Sequence, residues 1–157
     1  MKAAYPRLAE AIQTQSLIAV QDALVELRAI AQVGYAPEFG NGKSEHEWDF
    51  ELTNARSEDD LTPLAMVCFL YAQHKAQDDR LSCERLDGIA AYLIERGADP
   101  FSEQARRKSS RGYWDGTGRT LVEVFGQAQL PSSVRTRIEK VDERTYLDRR
   151  TWERQAA

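Results

Sequence analysis

The side chains able to do chemistry are few: two histidines, His46 and His74, and two cysteines, Cys68 and Cys83, in 157 residues. His46-Glu47-Trp48-Asp49 brings an imidazole and two carboxylates together, all of them metal-ligand types. It lacks the paired-histidine spacing of a zinc motif, and Cys68 and His74 do not share a helical face. A solvated polar loop is the favoured reading, and no cofactor is expected. Neither Ser109-Ser110 nor Ser132-Ser133 sits in a nucleophile elbow, and Gly116-Thr117-Gly118 lacks the further glycines and the lysine of a phosphate loop. Asp59-Asp60 and Asp78-Asp79 read as loop charges or helix-start charges. The chain is therefore not expected to be an enzyme. The alternative, a metal-dependent activity using His46, Glu47 and Asp49, requires stoichiometric metal.

What remains is surface chemistry. Residues 38–60 carry eight acidic side chains against Lys43 and Arg56, an excess larger than the net charge of -4 of the whole chain. Trp48 and Phe50 lie within that segment, so it combines electrostatic steering with an aromatic anchor for a basic partner. Glu47, Trp48, Asp49, Phe50 and Glu51 are accordingly candidate partner-binding residues. The competing reading is a solvated insert whose Trp48 and Phe50 cover the core. A second segment joins Arg106, Arg107, Lys108 and Arg111 to Tyr113, Trp114 and Asp115. Basic aromatic loops can stack on nucleic-acid bases. In an acidic chain the better reading is a solvated turn, or a contact complementary to the first segment, and Tyr113, Trp114 and Asp115 join the candidate set. The expected partner is another protein with a basic surface, while nucleic acid and membrane are not favoured.

These segments need elements to hold them. At this length one domain, residues 1–157, is expected. The opening MKAAYPRLAEAIQ has no apolar core of a signal peptide, and no run approaches the roughly 18 apolar residues of a membrane helix, so a cytoplasmic protein is expected. Cys68 lies in the apolar run LAMVCFLYA and reads as packing, with no disulfide framework.

Leu8, Ala11, Ile12, then Leu17, Val20, Leu24 and Leu27 recur at helical spacing, interrupted at Thr14-Gln15-Ser16. Ser16 can cap a second helix, which predicts a helical hairpin. Residues 32–61 read as a long connection, with Trp48, Phe50 and Leu52 alternating in a short strand or extended piece. Thr62-Pro63 opens a buried helix, and a polar connection runs from Gln73 to Arg85. Leu86, Ile89, Ala90, Leu93 and Ile94 then mark its partner. Gly97 stops that helix because glycine adopts the left-handed conformation without a Cβ penalty, and Pro100 forbids continuation. A second long connection covers 102–117. A third pair is carried by Leu121, Val122, Val124 and Phe125, then Val134, Ile138 and Val141, joined at Pro131-Ser132-Ser133. The tail, 142–157, has Tyr146, Arg149, Trp152 and Glu153 at helical spacing.

Leu8, Leu64 and Leu121 each open a pair, 56 and 57 residues apart, which suggests stacked repeats. Thr62-Pro63-Leu64-Ala65 opening a helix, and Ile89 to Glu95 running into Arg96-Gly97-Ala98-Asp99-Pro100, resemble the ankyrin repeat family. Residues 8–24 are similar to a first repeat and Gly118-Arg119-Thr120-Leu121 to the opening of a third. The resemblance implies an all-α fold, a short solenoid of three units, about 6–31, 62–100 and 118–141, with long inserts between repeats and one between the helices of the middle unit. Ala65 stands where the family usually has His, and the family period is about 33 residues. An unrelated all-α bundle is the alternative. Because such repeats are interaction scaffolds, the resemblance implies a non-catalytic protein-binding module. The sharpest form is a bacterial immunity-type inhibitor of a cognate toxin or secreted effector, and the alternative is a structural or regulatory subunit of a larger complex.

Overall fold

Short-range signals set most of the helix boundaries. A computed structural model of the chain describes residues 4–33, 44–102, 104 and 119–141. The described residues are helical, with α1 (Ala4–Gln13), α2 (Leu17–Val33), α3 (Glu45–Thr53), α4 (Pro63–Ala76), α5 (Arg80–Glu95), α6 (Leu121–Phe125) and a last helical stretch, α7, over 132–141. Among them the only extended pairing is an isolated antiparallel bridge between Gln104 and Arg119. None of the described helices is long and apolar enough to cross a membrane.

Each expected cap is present. Ser16 Oγ accepts from the Ala19 amide at 3.3 Å, starting α2 after a turn in which Gln15 takes a φ of 58°. Thr62 Oγ1 accepts from the Ala65 amide with Pro63 at the first helical position. A cap of this kind contributes about 1 kcal/mol. At the end of α5 the Gly97 amide donates to the Ile94 carbonyl (3.0 Å) and the Ala98 amide to that of Leu93 (2.9 Å), with Gly97 at φ 111°. This two-bond Schellman closure requires the positive φ that glycine supplies.

Packing follows hairpin by hairpin. α1 lies against α2 and α4 against α5, while α1 also meets α4, α2 meets α5, and α4 meets α6. Leu8, Ile12, Val20, Leu24, Leu64, Val67, Leu86, Ile89, Leu93, Leu121, Leu130 and Val134 are fully buried in one continuous core. Polar ties cross the same boundaries. Ser133 donates from its amide (2.9 Å) and hydroxyl (2.8 Å) to Asp87 Oδ1, so a carboxylate on α5 caps the start of α7. Lys75 Nζ donates to the Ala128 carbonyl at 3.0 Å.

Two expectations are corrected. Residues 45–53 form a helix, where alternation of Trp48, Phe50 and Leu52 pointed to an extended piece. Ser44 Oγ accepts from the Glu47 amide, Glu45 and Glu47 occupy the first turn, and the buried face is Asp49, Leu52 and Thr53, at helical spacing. The polar run from Gln73 to Arg85 is no insert: α4 extends to Ala76, three residues make the turn, and α5 starts at Arg80. Asp78 takes the left-handed conformation at φ 56°, a position that Asp tolerates better than most residues. Asp79 then caps α5 by accepting from the Ser82 amide. Polar residues serve as caps there, so polarity did not mean loop.

Candidate functional site

α3 is positioned by charge. Asp49 is 0% exposed. Arg28, from α2, donates through Nε to Asp49 Oδ1 at 3.0 Å and pairs through Nη1 with Glu45 Oε1 at 2.8 Å. Arg96, just past α5, reaches the same two acids from the other side, with Nη1 3.5 Å from Asp49 Oδ2 and 3.7 Å from Glu45 Oε1. Asp49 Oδ2 and Arg96 Nε are buried without a hydrogen bond, so this second contact is coulombic where the Arg28 contact is also a hydrogen bond. The Arg96 guanidinium lies 5.5 Å from the centre of the Tyr92 ring, a cation–π distance that further fixes its position. Two cations thus face two anions at the junction of α2, α3 and α5. A buried charge is tolerated only when compensated in this way.

The C-terminal end of α3 is clasped to the turn after α5. Asn54 Nδ2 donates to the carbonyls of Phe50 and Gly97, each at 2.8 Å, and Asn54 Oδ1 accepts from the Asp99 amide at 2.9 Å. Gly97 is needed here a second time. A Cβ at that position would lie 3.2 Å from Phe50 Cα and 3.4 Å from the Phe50 ring, so the missing side chain is what lets α3 approach.

This arrangement divides the candidate residues. Asp49 belongs to the docking of α3 and presents no surface, and Trp48 is half-buried beside it. Glu47, Phe50 and Glu51 are exposed, Phe50 by 56%. The acidic excess read from the sequence is also partly neutralised. Glu45 and Asp49 are paired as above, and Asp60 is buried against Arg56, whose Nη1 lies 3.3 Å from Asp60 Oδ1. Among the described residues Glu47, Glu51, Glu58 and Asp59 are exposed on this side. Tyr113, Trp114 and Asp115 lie outside the described residues.

The structure brings forward residues that the sequence pattern had not singled out: Arg28, Arg96, Asn54 and Phe101. Arg28 and Arg96 carry no local signal, since they read as solvated helix charges until Asp49 is seen between them. Phe101 follows the helix stop and is 37% exposed, with its amide donating to Asp99 Oδ1 at 2.9 Å.

Other reactive groups are engaged structurally. The Gln15 amide nitrogen donates to His74 Nε2 at 3.0 Å, which leaves the ring proton on Nδ1, 3.1 Å from Asp79 Oδ2. Asp79 also accepts from the Ser82 hydroxyl at 2.8 Å, and this bond, then the Ser82 amide, holds its carboxyl below the usual carboxylate range. Serine bonds the carboxylate here and not the imidazole, so the group is no nucleophile–base pair. It ties the α1–α2 turn to the α4–α5 turn. Burial pushes the Cys68 thiol up to about 12, which removes it as a nucleophile. Burial raises the Cys83 thiol as well, reinforced by the charge of Asp79. Among the described residues no three His, Cys, Asp or Glu side chains are grouped to hold a metal, and His46 is exposed on α3 with Asp49 turned inward. Comparison of the chain with protein-family models, with curated proteins and with solved structures found no match.

Proposed function

We propose that the chain is a non-catalytic protein-binding module built as a short ankyrin-like solenoid, and that its most specific form is an immunity-type inhibitor of a cognate toxin or secreted effector. The observation that carries the reading is the order of helix contacts: first helix on first helix in α1–α4–α6, and second on second in α2–α5. Such stacking makes each hairpin cover the apolar face of the next, and it is how repeat scaffolds build an extended binding surface. The TPLA opening and GADP closing of the middle unit support the same reading, since both motifs act here as the helix start and helix stop of a stacked hairpin.

The mechanism asked of such a module is recognition alone. α3, inserted between the first and second hairpins, offers a partner Glu47, Phe50 and Glu51 on a helix whose position is already fixed by Arg28 and Arg96. Pre-organisation of this kind lowers the conformational cost of binding. The test is capture of partners from lysate of the source cell, followed by co-expression of the captured protein with the chain. A basic protein retained in stoichiometric amount, whose toxicity to the host is relieved by the chain, is the expected result. Absence of any stoichiometric partner sinks the module reading. A partner that is harmless in the host sinks the inhibitor form alone.

One observation favours a subunit of a larger assembly. α2 leaves Ile18, Val25, Ile30 and Val33 exposed, Val33 by 88%. Sedimentation velocity at rising concentration distinguishes the two: self-association through α2, abolished by Val25→Lys, belongs to the subunit reading.

A further inference from the structure

Arg28 and Arg96 come from different elements, yet both guanidinium groups converge on the same two carboxylates. Those carboxylates, Glu45 and Asp49, stand one helical turn apart on α3 and share a face. Leu52, three residues on, continues that face into the common core. The seat of α3 therefore reads an acid, a second acid one turn later, and then a leucine. α3 fills this seat incompletely. Arg28 makes its contacts at 2.8 and 3.0 Å, whereas Arg96 stays at 3.5 and 3.7 Å from the same acids. A charge-assisted hydrogen bond is shorter, about 2.7–2.9 Å. Asp49 Oδ2 and Arg96 Nε are both buried, and neither has a hydrogen bond. The Tyr92 ring, 5.5 Å from the Arg96 guanidinium, keeps that cation in place whether or not its acids fit well.

We infer that Arg28 and Arg96 form a binding site for two carboxylates one helical turn apart, which α3 occupies in cis and which an acidic helix of another protein takes by displacing α3. Charge complementarity selects that occupant, since a guanidinium pair matches carboxylates in both charge and geometry. α3 itself shows the spacing required. Carboxylates on a helix are favoured over the phosphates of a nucleic acid because the seat also takes a leucine, for which a nucleic acid has no counterpart. The tether gives α3 the advantage of a high effective concentration. A competitor gains where α3 is poor: an acid that reaches Arg96 at hydrogen-bond distance satisfies a buried donor that Asp49 leaves unpaired. Displacement is a shift between a closed and an open state, driven by whatever binds the open one better. It also withdraws Glu47 and Phe50 from their present positions, so the seat and the outer face of α3 cannot both be in use. The site lies beneath α3 and does not depend on what the outer face binds.

The test uses the full chain and a fluorescein-labelled peptide of residues 44–54, read by anisotropy. The variant Glu45→Gln, Asp49→Asn removes the carboxylates that fill the site in cis. It should bind the peptide about tenfold or more tightly than wild type, because a site closed by its own segment binds in proportion to its open fraction. The same two substitutions made in the peptide should weaken binding to that variant by about tenfold or more, with no change to the protein. A shuffled peptide of equal composition, its acids no longer one turn apart, should also bind more weakly, which separates spacing from net charge. On wild type, saturating peptide should speed hydrogen exchange at the Trp48 and Asn54 amides, which close onto the Ser44 and Phe50 carbonyls, and leave the α4–α5 hairpin protected. This last measurement needs no variant, so it decides the matter if the double substitution disturbs the fold. Equal binding by wild type and variant, binding that survives loss of the peptide's two acids, or saturation of wild type without loosening of α3 overturns the inference. So does the lack of saturable binding, or preference for a single-stranded oligonucleotide over the peptide.

Discussion

α3, which packs on α2 and meets the turn after α5, and the α4–α5 hairpin are held by different physics. The hairpin inserts Leu64, Val67, Leu86, Ile89 and Leu93, all fully buried, into the common core. Each such side chain contributes about 1.5–3 kcal/mol on burial. α3 buries one large apolar residue, Leu52, beside Asp49 and Thr53. Its other attachments are polar: the Asn54 clasp onto Gly97 and Asp99, and the pairing of Asp49 and Glu45 with Arg28 and Arg96, where the attraction is offset by the desolvation of the ions. Charge therefore fixes where α3 sits, whereas apolar area fixes how firmly the hairpin stays. The difference teaches that the element carrying the candidate surface should open more readily than the scaffold beneath it.

The largest effect should come from the scaffold. Leu93→Ala removes a fully buried side chain of α5 and should lower global stability by about 2–5 kcal/mol, read from the midpoint of urea unfolding. Because the core is continuous from α1 to α7, the three hairpins should lose their structure together in this variant. Separate transitions for the first and third hairpins would break the picture of one cooperative core.

The intermediate effect should be local to α3. Asp49→Asn leaves two arginines facing Glu45 alone and should raise the hydrogen-exchange rate of α3 amides by the equivalent of about 1.5–3 kcal/mol, the usual scale of a hydrogen bond to a charged group. Denaturation of the whole domain should move much less, because α3 can undock without opening the core. A fall in global stability as large as the local one would show that α3 is integral to the cooperative unit, and the contrast drawn above would fail. The triple replacement Asp49→Leu, Arg28→Met, Arg96→Met sharpens it. An apolar set of similar volume should restore or exceed the docking of α3 if desolvation cancels the charge attraction.

The same contrast explains which parts were legible before the structure. Helix starts and stops were readable at Ser16, Thr62-Pro63 and Gly97 because a single side chain, or its absence, meets a local requirement there. The apolar period was readable along α2 and α5 because those faces meet the core directly. α3 was misread because two of its three buried residues are polar. Asp49 and Thr53 gave no apolar period, so the alternation of Trp48, Phe50 and Leu52 dominated, although Phe50 stands on the other side of the helix from Trp48 and Leu52. Its partners Arg28 and Arg96 come from other elements, a pairing that only the fold reveals. Asp49 was picked out by its charge and neighbours, but its role proved to be holding the helix that carries Glu47, Phe50 and Glu51. The turn at 77–79 was hidden for a similar reason, since His74, Asp79 and Ser82 bond to one another and the run reads as polar throughout.

Gly97 joins the two regions, and it gives the smallest of the three effects. Gly97→Ala places a Cβ on a residue at φ 111°, where an L side chain costs on the order of 1–2 kcal/mol. The new methyl would also stand 3.2 Å from Phe50 Cα, a backbone atom that moves only if α3 moves. The two costs leave different signatures in hydrogen exchange. Conformational strain alone loosens the end of α5, at the amides of Gly97 and Ala98 that close onto Ile94 and Leu93. The contact with Phe50 in addition loosens α3, including the Asn54 amide that closes onto the Phe50 carbonyl. Loosening of both is expected, because the helix held mainly by charge is the side that gives way. Protection lost only at the end of α5 would mean that α3 is held more firmly than its single buried leucine implies. The ion pairs would then have to supply net docking energy, beyond setting the position of α3.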